Sequence, residues 1–229
     1  NAIVGFSSLL AETDEAELRH VYMSLVQENN ELLLNLISDI LDISKIEAGM
    51  IDLVMGRVDV PQLCREVIAT FYTKKRDTAV ELRFDENSPQ IVIDADKNRI
   101  VQVLSNFLTN ALKFTTKGQS HFLFIEDESQ VRFCVTDTGK GIPDEQKHEI
   151  FNRFVKLDSF VQGAGLGLSI CQSLVNRMGG KIGVESREGE GRASGSLIRM
   201  FPVLNQKKRL HIEANYVYCS AKYGTNKKQ

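Results

Sequence analysis

A long segment without helix breakers near the start of the chain most limits what this sequence can fold into. From Glu17 onward, neither proline nor glycine occurs until Gly49. Apolar residues recur in alternating steps of four and three, which is typical of a heptad-like helical seam. The seam comprises Leu18, Tyr22, Leu25, Asn29, Leu32, Leu36, Asp39 and Ile43, with Asn29 and Asp39 as polar interruptions. The pattern predicts one helix about 50 Å long.

A second apolar flank on this helix predicts that it pairs with a partner. The apolar face is widened by four further residues, Leu33, Ile37, Ile40 and Leu41. Residues 1–11 read as the end of a preceding apolar helix. We therefore expect a helical hairpin, two copies of which form a four-helix bundle. A core helix inside a monomer is the alternative, but few helices of globular proteins exceed about 25 residues.

After Gly49 the pattern changes to that of an α+β domain. Strands are predicted at 51–60, 79–84, 91–93, 122–125, 131–135, 181–186 and 196–201, and helices at 61–75, 96–114, 145–151 and 166–178. Helices on one face of a mostly antiparallel sheet make a two-layer α/β sandwich. We expect the hairpin segment to occupy residues 1–50 and this domain residues 51–204. Residues 205–229 form a polar, basic tail that we expect to be loosely ordered.

Composition excludes several classes of protein. The formal net charge of −2 gives no indication of nucleic-acid binding. No apolar run approaches the roughly 20 residues that a membrane-spanning helix needs. The four cysteines are scattered without a C-x-x-C pair, which argues against a disulfide framework or a zinc site. Because the chain begins at Asn1 rather than methionine, we interpret it as part of a longer protein.

Three segments carry residues suited to a nucleotide. Asp137 ends a strand and is followed by Gly139 and Gly141, where backbone can approach a planar ligand and the carboxylate can accept from an exocyclic amine. Glycines at 163, 165 and 167 precede a helix, whose N-terminal amides can bind phosphate. On the helix before them, Asn106, Asn110 and Lys113 share one face, which suits a triphosphate with Mg²⁺.

The order and spacing of these segments resemble those of the sensor histidine kinases. Residues 106–113 resemble the family's asparagine box, 137–143 its first glycine box, 151–154 its phenylalanine box and 163–168 its second glycine box. Residues 41–49 resemble the end of its second dimerisation helix. The resemblance covers about residues 1–203 and implies a histidine-kinase/gyrase-type ATP-binding fold preceded by a long helical hairpin.

The resemblance also implies roles for individual residues. Asp137 would contact the adenine amine, Asn110 and Asn106 would hold Mg²⁺ and phosphates, and Phe154 through Gln162 would form a mobile lid. The full set of residues expected to bind ATP is Asn106, Asn110, Lys113, Asp137, Gly139, Gly141, Ile142, Phe154, Gly163, Gly165, Leu166, Gly167 and Leu168. Implied partners are a second copy of the chain and a response regulator receiver domain, with no nucleic acid.

The resemblance is incomplete at the acceptor. The family's phosphoacceptor histidine would lie seven residues before Asn1, so we expect this chain to bind ATP without phosphorylating itself. His148 precedes a glutamate, as in an acceptor motif, but its place before the phenylalanine box favours a surface residue. Membrane contact is expected only through segments outside this chain, which would be the cytoplasmic part of a membrane-anchored sensor.

Two alternatives remain open. The first is an ATPase of the gyrase or chaperone type, which carries a glutamate on the nucleotide helix as general base. The position here is Asn106, and an amide cannot take a proton from water near neutral pH. The second is a non-catalytic, dimeric nucleotide-binding scaffold. Retention of Asp137, Asn110, Lys113 and the glycines argues against it.

Overall fold

The long helix and the segment before it form an antiparallel hairpin. The computed structural model describes residues 2–74, 80–84, 91–127, 130–157, 163–186 and 194–200. Helix α1 spans Ala2–Glu12 and helix α2 spans Ala16–Glu47. The rings of Phe6 and Tyr22 stack across the hairpin with centroids 6.3 Å apart. This pairing fixes the register of the two helices.

Helix α2 ends at Glu47, two residues before Gly49, the first glycine after the helix begins. Gly49 adopts a φ of +66°, which a side-chain-bearing residue rarely does. Its N–H donates to the carbonyl of Ile46, and the N–H of Met50 donates to the carbonyl of Lys45. These two bonds form a Schellman motif, which satisfies carbonyls left open at the helix end. The chain then turns from the hairpin into the domain.

The described part of the domain contains seven strands in two sheets. The strands are β1 (Gly56–Asp59), β2 (Val80–Phe84), β3 (Val92–Ala95), β4 (Gly118–Asp127), β5 (Gln130–Asp137), β6 (Lys181–Glu185) and β7 (Ser194–Met200). Strands β1 and β3 form a small antiparallel sheet. The main sheet has the order β2-β4-β5-β7-β6, in which only the β2–β4 pair is parallel.

Three helices complete the domain: α3 (Val60–Lys74), α4 (Lys97–Phe114) and α5 (Gly167–Arg177). Helix α4 begins at a strong cap, because Asp96 Oδ1 accepts from the N–H groups of Asn98 and Arg99 at 3.0 and 3.1 Å. The buried face of α4 comprises Ile100, Val103, Leu104, Phe107, Leu108 and Ala111. This face packs into one core with the sheet and α5. The predicted α+β sandwich is therefore confirmed.

Strand β4 is longer than the predicted 122–125, other boundaries shift by one or two residues, and two regions differ in kind from the sequence prediction. The strand expected over 51–60 is confined to Gly56–Asp59, and Val60 already begins α3 while its N–H donates to the Ile91 carbonyl at 2.9 Å. The short helix expected over 145–151 is two separate 3₁₀ turns, Asp144–Gln146 and Glu149–Phe151. Both regions are too short for periodicity to distinguish regular from irregular backbone.

The basic tail predicted over 205–229 lies outside the described residues. Within the described ranges, no helix combines the length and apolar content needed to cross a membrane.

Candidate functional site

One cavity of about 320 Å³ lies between helix α4, the end of β5 and the loop before α5. Eleven of the thirteen residues predicted to bind ATP line it. They are Asn106, Asn110, Lys113, Asp137, Gly141, Ile142, Gly163, Gly165, Leu166, Gly167 and Leu168. Segments up to 62 residues apart in sequence are thus brought to one place, as their proposed common ligand requires.

Asp137 is the acidic group at the β5 end of the cavity. Its Oδ1 accepts from the Gly139 N–H at 2.8 Å and from the Thr115 hydroxyl at 3.5 Å. Burial raises the pKa of the Asp137 carboxyl, and these two hydrogen bonds oppose that rise. A Cβ at Gly139 would come within 2.6 Å of the Phe114 carbonyl oxygen, so only glycine lets this turn approach α4 so closely.

The turn after Asp137 is fixed at a second point. Gly141 has a φ of +75°, and the next residue, Ile142, donates its N–H to the buried Ser186 hydroxyl at 2.8 Å. The Ile142 side chain is thereby held at the cavity wall. An apolar residue beside a carboxylate acceptor is suited to a flat heteroaromatic ring with an amine substituent.

The polar stripe of α4 crosses the cavity floor. The amide nitrogen of Asn110 donates to the Asn106 oxygen at 3.1 Å, which leaves the Asn110 oxygen directed to other partners. One turn later, the Lys113 ammonium lies 5.8 Å from the centre of the Phe114 ring. Burial, followed by repulsion from Lys156, lowers the pKa of Lys113. An anion between these two lysines would relieve that repulsion.

The glycine-rich loop before α5 is shaped by close backbone contacts. Gly165 has a φ of +71°, and a Cβ there would lie 2.6 Å from the Val155 carbonyl oxygen. Its own carbonyl accepts from the Phe154 N–H at 2.9 Å. A Cβ at Gly163 would come within 3.2 Å of Lys113 Nζ. The loop therefore places the N-terminus of α5 beside Lys113, in the last turn of α4. The first N–H groups of a helix have no acceptor within the helix, so they can bind an anion there.

Two predicted site residues do not line the cavity. Gly139 contributes indirectly, because its N–H donates a hydrogen bond to the Asp137 carboxylate, which does line the cavity. Phe154 is 71% exposed and has a φ of +63°, which is unusual for a residue with a side chain. Of the predicted lid, residues 158–162 lie outside the described residues. His148 is exposed at the surface beside the 3₁₀ turn Glu149–Phe151.

Comparisons with known proteins match the fold. The family described as "Histidine kinase-, DNA gyrase B-, and HSP90-like ATPase" matches residues 95–204. The catalytic domain of the histidine kinase ThkA is 31% identical, with a TM-score of 0.58 over 65% of this chain and 95% of that one. The chain belongs to the histidine kinase family. It contains the ATP-binding catalytic domain of a sensor kinase, which confirms the family predicted from the sequence.

Further relatives extend the match into the hairpin. The circadian input-output histidine kinase CikA of Synechococcus elongatus is 36% identical over 82% of this chain, but the match covers only 26% of CikA. Full-length ShkA in complex with AMPPNP is 33% identical, with a TM-score of 0.71 over 88% of this chain and 42% of ShkA. ThkA in complex with the response regulator TrrA has a TM-score of 0.68 at 27% identity, over 90% of this chain and 58% of that one.

Helix α2 supplies one wall of the cavity, and this wall was not predicted from the sequence. The hairpin residues that line the same space as the residues predicted to bind ATP are Leu32, Asn35, Leu36 and Asp39. A signal for this was present, because Asp39 interrupts the apolar seam of α2. Asp39 lies more than sixty residues before Asn106 in sequence, and only the folded structure shows that both line one cavity.

Polar contacts hold the hairpin against the kinase domain. Asp42 is 7% exposed, and its Oδ2 accepts from Gln102 Nε2 at 2.7 Å. Its Oδ1 lies 3.4 Å from Arg99 Nη1. Nearer the end of α2, Glu47 forms an ion pair with Arg153. The contacts of Asp42 are largely buried, whereas the pair of Glu47 and Arg153 is exposed. Solvent therefore weakens the Glu47 pair more than the contacts of Asp42.

Among the described residues, no cluster of three or more histidine, cysteine, aspartate or glutamate residues could hold a metal ion by itself. The amide oxygens of Asn106 and Asn110 are weak, neutral ligands. Such a donor set fits a Mg²⁺ that arrives with the oxygens of a triphosphate. It does not fit a metal bound independently of nucleotide.

Proposed function

We propose that this chain binds Mg²⁺–ATP and donates the γ-phosphoryl group to a histidine on the dimerisation hairpin, for relay to an aspartate of a response regulator. The observation that supports this most is the convergence, in one cavity, of a carboxylate acceptor, an asparagine stripe, a lysine and a glycine-shaped helix N-terminus. Because the chain spans about a quarter of CikA and less than half of ShkA, the activity of the whole protein is itself part of the proposal.

At the adenine end, Asp137 accepts a hydrogen bond from the exocyclic amine. The carboxylate presents only acceptors when it is ionised, so it distinguishes the amine of adenine from the carbonyl of guanine. The Gly139 N–H and the Thr115 hydroxyl fix the carboxylate's orientation. Ile142 provides an apolar surface against the ring.

At the phosphate end, three groups bind the developing negative charge. They are the Lys113 ammonium, the amides at the start of α5 and the side chains of Asn106 and Asn110. Asn106 and Asn110 would hold Mg²⁺ together with the nucleotide, and the ion would supply Lewis-acid stabilisation of the negative charge that develops during transfer. Transfer breaks the bond from the γ-phosphorus to the bridging oxygen and forms a bond to an imidazole nitrogen. The bridging oxygen leaves with ADP, and the imidazole releases its proton.

Among the described residues, the face of α4 that lines the cavity carries no side chain suited to activating water. The position of α4 at which an ATPase would need a base holds Asn106, whose side chain already accepts from Asn110. Neutral imidazole is a nucleophile without such a base. This difference favours transfer to histidine over hydrolysis.

The register of the hairpin supports the same acceptor. Phe6 and Tyr22 lie opposite one another, so a residue twelve positions before Phe6 would face a residue twelve positions after Tyr22, which is Leu34. That upstream position is seven residues before Asn1, where the family's acceptor histidine is expected. Leu32 and Asn35, which flank Leu34, line the nucleotide cavity. The acceptor would therefore lie level with the cavity.

The exposed flank of α2 supports a homodimer. Leu34, Ile37 and Ile40 are 66%, 47% and 55% exposed, although the opposite flank of the helix packs against the chain's own domain. A contiguous apolar stripe of this kind indicates an interface. We propose that two hairpins bury these stripes in a four-helix bundle, and that the assembled protein is anchored to a membrane through segments outside this chain.

The decisive experiment uses γ-labelled ATP. This chain should bind ATP and remain unlabelled, whereas a version extended upstream through the acceptor should take up acid-labile label. Asp137→Asn in the extended version should abolish labelling, because the amide can present a donor where the carboxylate accepted. Label on His148 or His20 of the present chain would contradict the proposed acceptor. Rapid multiple-turnover phosphate release would contradict the kinase assignment in favour of an ATPase.

A further inference from the structure

Asp39 is the one carboxylate other than Asp137 among the residues that line the nucleotide cavity. It comes from the hairpin helix α2 rather than from the kinase domain. Within the described part of the chain it has no hydrogen bond or ion pair, whereas Asp42, one turn further along, has both. Burial, followed by repulsion from Asp42, raises the pKa of Asp39. Burying half of an unpaired carboxylate costs free energy, and a bound cation would offset that cost.

Contacts around Asp39 place it at the phosphate end of the cavity. Asp42 contacts Gln102, which lies one turn before Asn106 on α4. On the other side, the charge of Asp39 contributes to the raised pKa of Cys171, one turn after the start of α5 at Gly167. Asp39 therefore faces the region where the asparagine stripe meets the glycine-rich loop. Asp137 is occupied at the opposite end by Gly139 and Thr115.

The kinase domain alone offers the phosphate end only neutral oxygens and cations. Lys113 and Lys156 line this region, as do the amides of Asn106 and Asn110. Mg²⁺ in nucleotide sites is usually bound by one or two carboxylates together with phosphate oxygens. Asp39 supplies the charge type that is otherwise lacking there.

We propose that Asp39 of the hairpin binds the Mg²⁺ of the nucleotide, directly or through a metal-bound water. This inference rests on the proposed function, since it requires nucleotide in the cavity. It makes the metal a link between the two parts of the chain. Without Mg²⁺, Asp39 repels the triphosphate; with Mg²⁺, the same charge attracts the complex. The buried contact of Asp42 with Gln102 positions Asp39 for this role.

The test compares Asp39→Asn with Glu31→Gln, which removes the same charge from an exposed position two turns earlier on α2. Affinity for AMPPNP is measured by calorimetry on the full chain, once with excess Mg²⁺ and once with a chelator. In Asp39→Asn, we expect the gain in affinity that Mg²⁺ provides to fall by roughly tenfold. Glu31→Gln should retain that gain.

A second readout measures the metal itself. Mn²⁺ replaces Mg²⁺, and free Mn²⁺ is counted by electron paramagnetic resonance in the presence of saturating AMPPNP. Asp39→Asn should release Mn²⁺ more readily, by a similar factor. Because the ionised Asp39 lacks a partner in the fold, the asparagine variant should melt no earlier than the parent chain. A fall in affinity therefore cannot be ascribed to misfolding.

Three outcomes would overturn the inference. If Asp39→Asn keeps the full effect of Mg²⁺, Asp39 does not contact the metal. If the variant binds AMPPNP more tightly with and without metal alike, Asp39 only repels the nucleotide. If the parent chain binds no AMPPNP at all, the proposed function fails with it. Normal AMPPNP binding together with an unchanged metal dependence would overturn the role of Asp39 alone.

Discussion

The side-chain amide of Asn106 lies against the first residue of α5. A Cβ at Gly167 would come within 2.2 Å of Asn106 Nδ2 and within 3.0 Å of its oxygen. Asn106 also accepts from Asn110, so the position of Gly167 controls the geometry of both asparagines. A change in the glycine-rich loop at Gly167 should therefore also move the side chains of Asn106 and Asn110.

Gly167→Ala should separate nucleotide binding from folding. The methyl group must displace the end of the Asn106 side chain, which is flexible enough to move without unfolding the domain. A displaced Asn106 loses its contact with Asn110, and we expect ATP affinity to fall between roughly 10- and 100-fold. Calorimetry measures the affinity and thermal melting the fold. Gly183→Ala is the control, because nothing lies within 4 Å of a Cβ there. Equal affinities of the two variants would contradict this account.

The fold was largely predictable because its strongest signals are local. Helix α2 lacks breakers and ends at Glu47, two residues before Gly49, while α4 has its cap at Asp96 and a regular apolar face. That Asn106, Asn110 and Lys113 face one cavity was predictable because polar residues at this spacing are unusual on an otherwise apolar helix. The wall formed by Asp39 was not, since it depends on how α2 packs against α4 and α5. Such long-range packing leaves no periodic pattern.

Binding of ATP should weaken at acid pH, beginning at a higher pH than an ordinary aspartate would cause. The pKa of Asp137 is raised by burial, above the usual value of about 3.9. As pH falls through that raised pKa, the carboxylate gains a proton and accepts less well from adenine. The folded state favours protonated Asp137, so this group's contribution to stability decreases as pH rises between its unfolded and folded pKa values.

The measurement is ATP affinity as a function of pH, paired with melting temperature. Acidification should lower affinity through Asp137 without this group destabilising the fold. Asp137→Asn should bind ATP weakly throughout and lack the inflection. An inflection of the same size and position in Asp137→Asn would assign it to another group.

Protease cleavage near Leu157 should be fast without nucleotide and suppressed by an ATP analogue. Leu157 lies in the predicted lid, and both it and Lys156 line the cavity. A bound triphosphate would contact this segment and reduce its freedom to enter a protease. Limited proteolysis followed by mass spectrometry locates the cut and its rate. Equal protection with and without the analogue would count against a lid.

The two polar contacts between hairpin and kinase domain should differ in strength. Asp42→Ala removes the carboxylate that Arg99 and Gln102 share in a largely buried position and leaves them only their bond to each other, so we expect a loss of about 2–3 kcal/mol in the free energy of unfolding. Glu47→Ala removes the exposed partner of Arg153, and the loss should be about 0–1 kcal/mol because solvent screens such pairs. Urea unfolding of the two variants beside the parent chain measures both values. If Asp42→Ala proves no more destabilising than Glu47→Ala, the hairpin does not depend on this buried contact for its place.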